Sequence, residues 1–250
     1  MKVRPITMNE ILKIIQERHS SRIPFDREHP VAKQDLLQIL EAARWAPTAH
    51  NMQNFEIIFV DDKSQLEKLG NIESRISEDF LRENYEQLSF SEEELARKKT
   101  GILGSQFPPS WRTPGDWSKV ARESGPSSLD QTMRGGPTVL VVIYDPRKRA
   151  PASEGDVLGF ISLGCVMENM WLMAQALGIG VHIMSVFSGN SVEQQVKKVL
   201  KIPEYMRIAY AVRLGYSISK PPKFPRVRRD VKNLAHHNRF GDKDFVREKS

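Results

Sequence analysis

Thr138-Val139-Leu140-Val141-Val142-Ile143-Tyr144 is the stretch that decides the fold. It is rich in β-branched residues and hardly alternates between apolar and polar. A strand with one solvated face alternates, so this one is expected at the centre of a sheet, covered on both faces. Weaker strand signals surround it: Phe55–Val60, ended by Asp61-Asp62, then Val181–Phe187 and Ile208–Leu214. Helical patterns alternate with them. Met8, Ile11, Leu12 and Ile15 follow a Thr7-Met8-Asn9-Glu10 capping box, and that helix should end near Arg18–His19. Lys33–Trp45 is stopped by Pro47, another helix follows Lys63, and Ser191 with Gln194 opens one that runs to Leu200. The pattern predicts an α+β fold, a mixed and mainly antiparallel sheet flanked by helices, in a single domain over 1–250.

The helix expected over Val157–Leu177 differs from the others. Phe160, Ile161, Leu163, Val166, Met167, Met170, Trp171, Met173, Ala174 and Leu177 cover nearly its whole circumference. A helix apolar all round is buried all round. Glu168 and Asn169 interrupt it too early for a membrane span. Burial against a second copy of the chain is the natural completion, and a homodimer is expected.

Composition bounds the function. The 250 residues are 40% hydrophobic and 27% charged, which fits a folded, soluble chain. No apolar run of signal-peptide length precedes residue 20, and the single Cys165 excludes an internal disulfide, so a cytoplasmic, reducing setting is expected. One cysteine builds no zinc cluster, and no other metal spacing stands out. The net charge of +6 is weighted to the C-terminal part, where Lys220, Lys223, Arg226, Arg228, Arg229 and Lys232 are interleaved with prolines rather than aromatics. That pattern reads as a solvated tail or a phosphate strap before it reads as a nucleic-acid surface. Residues about 71–136 are acidic and basic at first, then rich in Pro, Gly and Ser around Trp111 and Trp117. They are read as a helical insertion plus a loop that lids a pocket, or as a surface excursion anchored by its tryptophans.

Two polar segments carry the chemistry. Arg18-His19-Ser20-Ser21-Arg22 sets two guanidiniums and a hydroxyl at alternate positions beyond a helix, and Pro47-Thr48-Ala49-His50-Asn51-Met52-Gln53-Asn54-Phe55 runs from a helix stop into a strand. Taken alone, Arg18 and Arg22 complement a helix C-terminus, and Asn51 is a turn residue. Taken together, they suit a phosphate and a flat heterocycle. No nucleophile elbow, P-loop or dinucleotide fingerprint is present, so a cofactor is expected to carry the chemistry and no catalytic side chain is assigned. Cys165 reads as packing and His182 as structural; His236-His237 fits either role.

The succession Arg18-x-Ser20-x-Arg22, Ala46-Pro47-Thr48-x-x-Asn51-x-Gln53-x-Phe55, the helix and strand over Gly159–Val186, and the tail Arg226-Val227-Arg228 with His236-His237-Asn238-Arg239-Phe240-Gly241 resembles the nitroreductase family of FMN enzymes. The match is in order and covers both ends and the middle, leaving out only about 71–136. The resemblance implies that Arg18, with His19 alongside, and Ser20 bind the FMN phosphate. It implies that Arg22 reaches the ribityl chain or the N1/O2 edge of the flavin, where a cation stabilises the charge that reduction adds. Arg226 and Arg228 would close over the phosphate. Pro47, Thr48, Ala49, Asn51 and Gln53 would contact flavin, often that of the partner subunit, and the Met184-Ser185-Val186 backbone would pass its ring.

Ala49 stands where the family commonly has a small hydroxyl residue, and Ser185-Val186 where it often has glycine or an acidic residue. The polar side chain that meets the flavin pyrimidine before the central strand stays unassigned between Gln131 and Arg134. The implied activity is transfer of electrons from NAD(P)H through FMN to a small aromatic acceptor such as a nitroaromatic or quinone, by a ping-pong cycle. No nucleic-acid or membrane partner is expected. The alternatives are dehalogenation or flavin fragmentation on the same fold, or flavin binding without turnover.

Overall fold

The computed structural model describes residues 8–107, 116–219 and 225–243. The chain enters through α1 (Met8–Glu17), α2 (Lys33–Arg44), β1 (Phe55–Val60), α3 (Lys63–Gly70) and β2 (Glu73–Arg75). It continues through α4 (Glu78–Arg82), β3 (Ser89–Phe90), α5 (Glu92–Lys98), β4 (Ile102–Leu103) and α6 (Trp117–Glu123). Then come β5 (Pro126–Ser128), α7 (Leu129–Met133), β6 (Thr138–Tyr144), α8 (Val157–Ala176), β7 (Gly180–Met184), α9 (Asn190–Leu200), β8 (Arg207–Gly215) and α10 (Val231–Leu234). These elements fall into two compact units, one of residues 1–74 with 127–221 and one of 75–126 with 222–250.

The first unit is built on a four-stranded sheet of order β1-β6-β8-β7 whose neighbours are all antiparallel. Ser20 adds a single parallel bridge to Val181, which makes the sheet mixed and mainly antiparallel. Strand β6 lies inside it, as its sequence requires. Leu140 and Val142 point to one core, shared with Leu36, Ile39, Val166 and Met170 of α2 and α8. Val139, Val141 and Ile143 point to the other, with Leu69, Leu129, Val192 and Val196 of α3, α7 and α9. Each such side chain, fully buried, contributes about 1.5–3 kcal/mol, so a strand that buries both faces has no favourable place at an edge.

Helix α8 packs Leu163, Val166, Met170 and Ala174 into the first of these cores. Its other side is open among the described residues: Val157, Phe160 and Ile161 stay 56%, 52% and 55% exposed. By length and composition alone it could cross a membrane, yet its inner face is part of the sheet's core. The apolar face of α1 is likewise open at Ile11, Leu12 and Ile15.

Several local expectations are revised. The strand expected over Val181–Phe187 stops at Met184, because Ser185–Ser188 turn into a 3-10 helix closed by Ser188 Oγ on the Ser185 carbonyl at 2.7 Å. Ser191 does not cap α9: the helix begins one residue earlier, at Asn190, with Gly189 at the cap position and no side-chain cap. Its phase is set by Glu193, which is buried and accepts from Arg207 Nε at 2.9 Å and the Ile208 amide at 2.8 Å, leaving Ser191 exposed in the first turn. Thr7 of the first expected capping box lies outside the described residues.

In the second unit, the expected helical character appears as α4, α5 and α6. Trp117 belongs to no irregular loop: it opens α6 behind an Asp116 cap and is buried. Ser118 of the same helix donates to Glu78 of α4 at 2.5 Å. Trp111 and the Pro-rich stretch around it lie outside the described residues.

One packing detail positions everything that follows. Gly180 and Gly215 are register partners on β7 and β8, and the Phe25 ring lies across both. A Cβ at either position would come within 2.7 or 2.8 Å of that ring. We predict that Gly180→Ala or Gly215→Ala destabilises the protein by about 1–3 kcal/mol through overpacking. Urea denaturation checks this; unchanged midpoints would show that Phe25 is not seated there.

Candidate functional site

Residues 18–27 leave α1 and cross the edge of the sheet. The Ser21 amide donates to the Val181 carbonyl at 2.7 Å beside the Ser20–Val181 bridge. Phe25 fills the two-glycine notch, its amide donates to the Arg134 carbonyl at 3.1 Å, and the Asp26 amide donates to the Tyr216 carbonyl at 2.8 Å. Beneath this crossing lies Arg213 of β8, which is completely buried. Its guanidinium donates to the carbonyls of Ser21 at 2.6 Å, Ile23 at 2.8 Å, Met133 at 2.8 Å and Arg134 at 3.2 Å. Its Nε donates to His182 Nδ1 at 3.2 Å, and the plane stacks 4.4 Å over the Phe25 ring. Every donor direction is used, and none of the partners is a carboxylate.

That arrangement sets two more cations at the surface. Arg22 lies between the two carbonyls that Arg213 holds on the crossing segment. Arg134 follows α7 in the left-handed conformation (φ 43°, ψ 51°) and donates Nη1 to the Arg22 carbonyl at 2.5 Å. Both side chains are exposed, and among the described residues no carboxylate pairs with either. The charges act on one another. Desolvation first and Arg134 second hold Arg213 down at about 10. Desolvation, then Arg134, also lowers Arg22. His182 falls to about 3, first by burial and then by Arg213, Arg22 and Arg134, so its ring is neutral at neutral pH. With Nδ1 accepting from Arg213, its proton sits on Nε2. A neutral imidazole beside three guanidiniums costs less than a fourth cation there. The result is a positive concentration with unused donors facing outward, suited to an anion or an electron-rich heterocycle.

Arg18 is placed differently. Its Nε pairs with Glu168 at 3.1 Å and its guanidinium stacks 4.4 Å over Trp171, both on α8. The Trp171 indole N–H donates to the His19 carbonyl at 3.2 Å. Arg18 therefore already carries a counter-charge, whereas Arg22 has none among the described residues.

The second polar segment is a tight, strained turn. His50, Asn51 and Gln53 all have positive φ, at 49°, 53° and 43°, in a region that disfavours side chains larger than Asn. Thr48 Oγ1 accepts from the Gln53 amide at 3.2 Å, Gln53 Nε2 donates to Asn51 Oδ1 at 2.9 Å, and the Ala49 amide donates to Ser162 Oγ at 2.9 Å. Left-handed residues held by their neighbours in this way mark a backbone shaped for something besides stability. The turn docks on α8 at Ser162. Arg18 docks at Glu168, about 9 Å further along the helix axis and turned by about 240°. Within one chain the two polar segments are thus fixed to different stations on the same helix.

Met184 ends β7 and is buried, while Ser185 and Val186 lie in the short helix behind it. Arg226 and Arg228 stand in an extended stretch of the second unit, exposed, with Arg228 Nη1 donating to the Val227 carbonyl at 2.7 Å. Gln131 is exposed on α7, and its carbonyl accepts from Arg134 Nε at 3.2 Å.

Comparison with known proteins now decides the family. The model of the nitroreductase family matches residues 15–216, a span that contains the whole sheet and both polar segments. The chain belongs to the nitroreductase family. Among its relatives is the FMN reductase (NAD(P)H) of Bacillus subtilis, 24% identical over 228 residues, which span 90% of this chain and 73% of that protein. The putative NADH dehydrogenase/NAD(P)H nitroreductase of Archaeoglobus fulgidus is 24% identical, over 84% of this chain and 86% of that one. The fold is shared with the nitroreductase with bound FMN from Desulfitobacterium hafniense, at TM-score 0.52 and 24% identity, with 88% of this chain and 95% of that one covered.

Sequence reading of this nitroreductase-family chain left Arg134 unassigned and missed Arg213, Phe25 and Ser162. Arg213 gives little signal in Ile208-Ala209-Tyr210-Ala211-Val212-Arg213-Leu214, since one charged residue in an apolar strand reads as solvent-facing. The nearest clue was the glycine pair, Gly180 and Gly215, flanking strands that otherwise resist glycine.

His182 supplies a test of this charged cluster. Its pKa is about 3 in the fold against an ordinary 6.5, so below pH 6.5 the unfolded chain binds a proton that the native chain does not. Stability from this group is complete above that pH and falls by up to about tenfold in the folding constant per pH unit as pH drops toward 3. His182→Gln should lack this slope, so wild type and variant converge or cross between pH 6 and 4 in urea titrations. Parallel pH curves would show that His182 titrates freely.

Proposed function

We propose that this protein is an FMN-dependent oxidoreductase, taking electrons from NAD(P)H and delivering them to a small aromatic acceptor such as a nitroaromatic or quinone, in a ping-pong cycle as a homodimer. The observation that carries the reading is the Arg22–Arg134 pair: two exposed guanidiniums with no carboxylate partner among the described residues, held at the sheet edge of a nitroreductase-family chain. The donor set fits the cofactor. FMN offers a phosphate and an electron-rich pyrimidine edge, and guanidinium forks match both.

FMN, when bound, supplies the redox chemistry by accepting a hydride and passing electrons on. The chain's residues bind and orient. Arg18 and Ser20 serve the phosphate, with His19 lending its backbone. Arg22 and Arg134 serve the pyrimidine edge, where fixed cations stabilise the charge that reduction adds. The backbone from Met184 to Val186 borders the ring. No side chain is needed as acid or base.

Pro47, Thr48, Ala49, Asn51 and Gln53 serve the flavin of a second copy. Two features support this. The turn docks on α8 away from the Arg18 station, and the uncovered Val157, Phe160 and Ile161 lie at the same end of α8 as Ser162, which holds it. A two-fold contact along α8 covers that surface and carries each turn toward the other chain.

Titration of apo-protein with FMN, followed by NAD(P)H oxidation with menadione as acceptor, tests the reading. Stoichiometric uptake and turnover are expected; colourless protein that takes up no FMN would sink it. Mixed dimers test the sharing. An Arg22→Ala chain and an Asn51→Ala/Gln53→Ala chain are each expected to bind FMN at least tenfold more weakly. Co-expressed, they should regain about one tight site in the mixed dimer. No recovery would place all contacts for one flavin in one chain.

A further inference from the structure

We propose that Arg213 is the positioning residue of the flavin site: its buried guanidinium ties the Arg22 segment to the Arg134 turn, and with its own charge it sets how strongly the site favours reduced over oxidised cofactor. This deepens the function proposed above and rests on it.

Four bonds make the case. Two run to the carbonyls on either side of Arg22, from Ser21 and Ile23, and two run to Met133 and Arg134. The segments are far apart in sequence, separated from Arg213 by about 190 residues on one side and about 80 on the other. One planar group thus clamps together the two backbones that present the surface cations. A lysine cannot do this, since a single ammonium has three donors and no fork. Stability alone does not call for such a residue. A buried cation without a carboxylate is costly, and an apolar side chain in a well-packed strand often replaces a buried charge without loss. Leu214 and Val212, its neighbours on β8, show that this strand accommodates apolar residues. What an apolar residue would lose is the clamp and the charge. His182 marks how far that charge reaches, since Arg213 heads the charged groups that keep its ring neutral.

The test compares wild type, Arg213→Gln and Arg213→Lys, with Arg134→Ala as a reference. The readouts are FMN affinity of the apo-protein, the two-electron midpoint potential of bound FMN against redox dyes, and hydrogen exchange at the Ser21 and Phe25 amides. Arg213→Gln should bind FMN at least tenfold more weakly and exchange faster at both amides. It should also lose about tenfold in preference for reduced over oxidised cofactor, which is about 30 mV lower in potential. Arg213→Lys keeps the charge without the fork, so affinity and exchange should change while the potential moves less. If Arg213→Gln does not fold, Arg213→Lys decides on affinity and exchange alone. Folded variants with wild-type affinity, potential and exchange overturn the proposal. So does failure of both variants to fold, which would make Arg213 a residue of the fold and not of the site. Wild-type protein that takes up no FMN overturns the parent reading together with this one; wild-type uptake beside an unchanged Arg213→Gln overturns this one alone.

Discussion

A guanidinium buried without a carboxylate is the constraint around which this structure is arranged. Removing Arg213 from water costs several kcal/mol, and the cost is offset only because four carbonyls, one imidazole nitrogen and the face of Phe25 receive it. Hydrogen bonds to a charged group contribute about 1.5–3 kcal/mol each, and all five donors of this guanidinium find an acceptor. Completeness demands that the crossing segment lie on the sheet edge, that Arg134 turn left-handed, that Gly180 and Gly215 carry no side chain, and that His182 stay neutral. The positive face that results follows from the same pairing of donors and acceptors: the buried charge is satisfied by backbone, and Arg22 and Arg134 stay exposed with no carboxylate partner among the described residues.

Helix α8 is the second organising element. Its inner stripe fixes it against the sheet, its Ser162 holds the strained turn, and its Glu168 and Trp171 hold Arg18. The stations lie six residues apart on that helix, about 9 Å along its axis and on different sides of it. The apolar residues left open at the Ser162 end turn that separation into an argument for a second copy, since an exposed run of this kind is unfavourable in water.

Much of this was legible in the sequence. The β-branched run Thr138–Tyr144, with hardly any alternation, required a two-sided strand, and β6 is one. The spacing of Arg18, Ser20 and Arg22 suggested a ligand loop, and the structure docks that loop on β7. The illegible part has a common physical origin. Arg213 acts on carbonyls, which are identical for every residue type, so no side-chain pattern announces the contact. Phe25 meets glycines more than 150 positions away, where the signal is an absence of side chain. Ser191 looked like a cap because the local motif was right, but Glu193's bond to the next strand chose the helix phase. Trp117 read as part of an irregular loop because prolines and glycines precede it, whereas Asp116 caps a helix that Trp117 opens, buried. For Arg213, Phe25 and Ser191 a long-range contact decided what local preference could not.

The central claim is that one flavin site is built from the Arg213-clamped cations of one chain and the strained turn of another. The most direct measurement is a crystal structure of the protein with FMN. The account predicts the flavin against Arg22 and Arg134 of one protomer, with the Thr48–Gln53 turn of its partner on the same ring system. A flavin bound away from the Arg22–Arg134 pair, or one contacted by both polar segments of a single protomer, would contradict it.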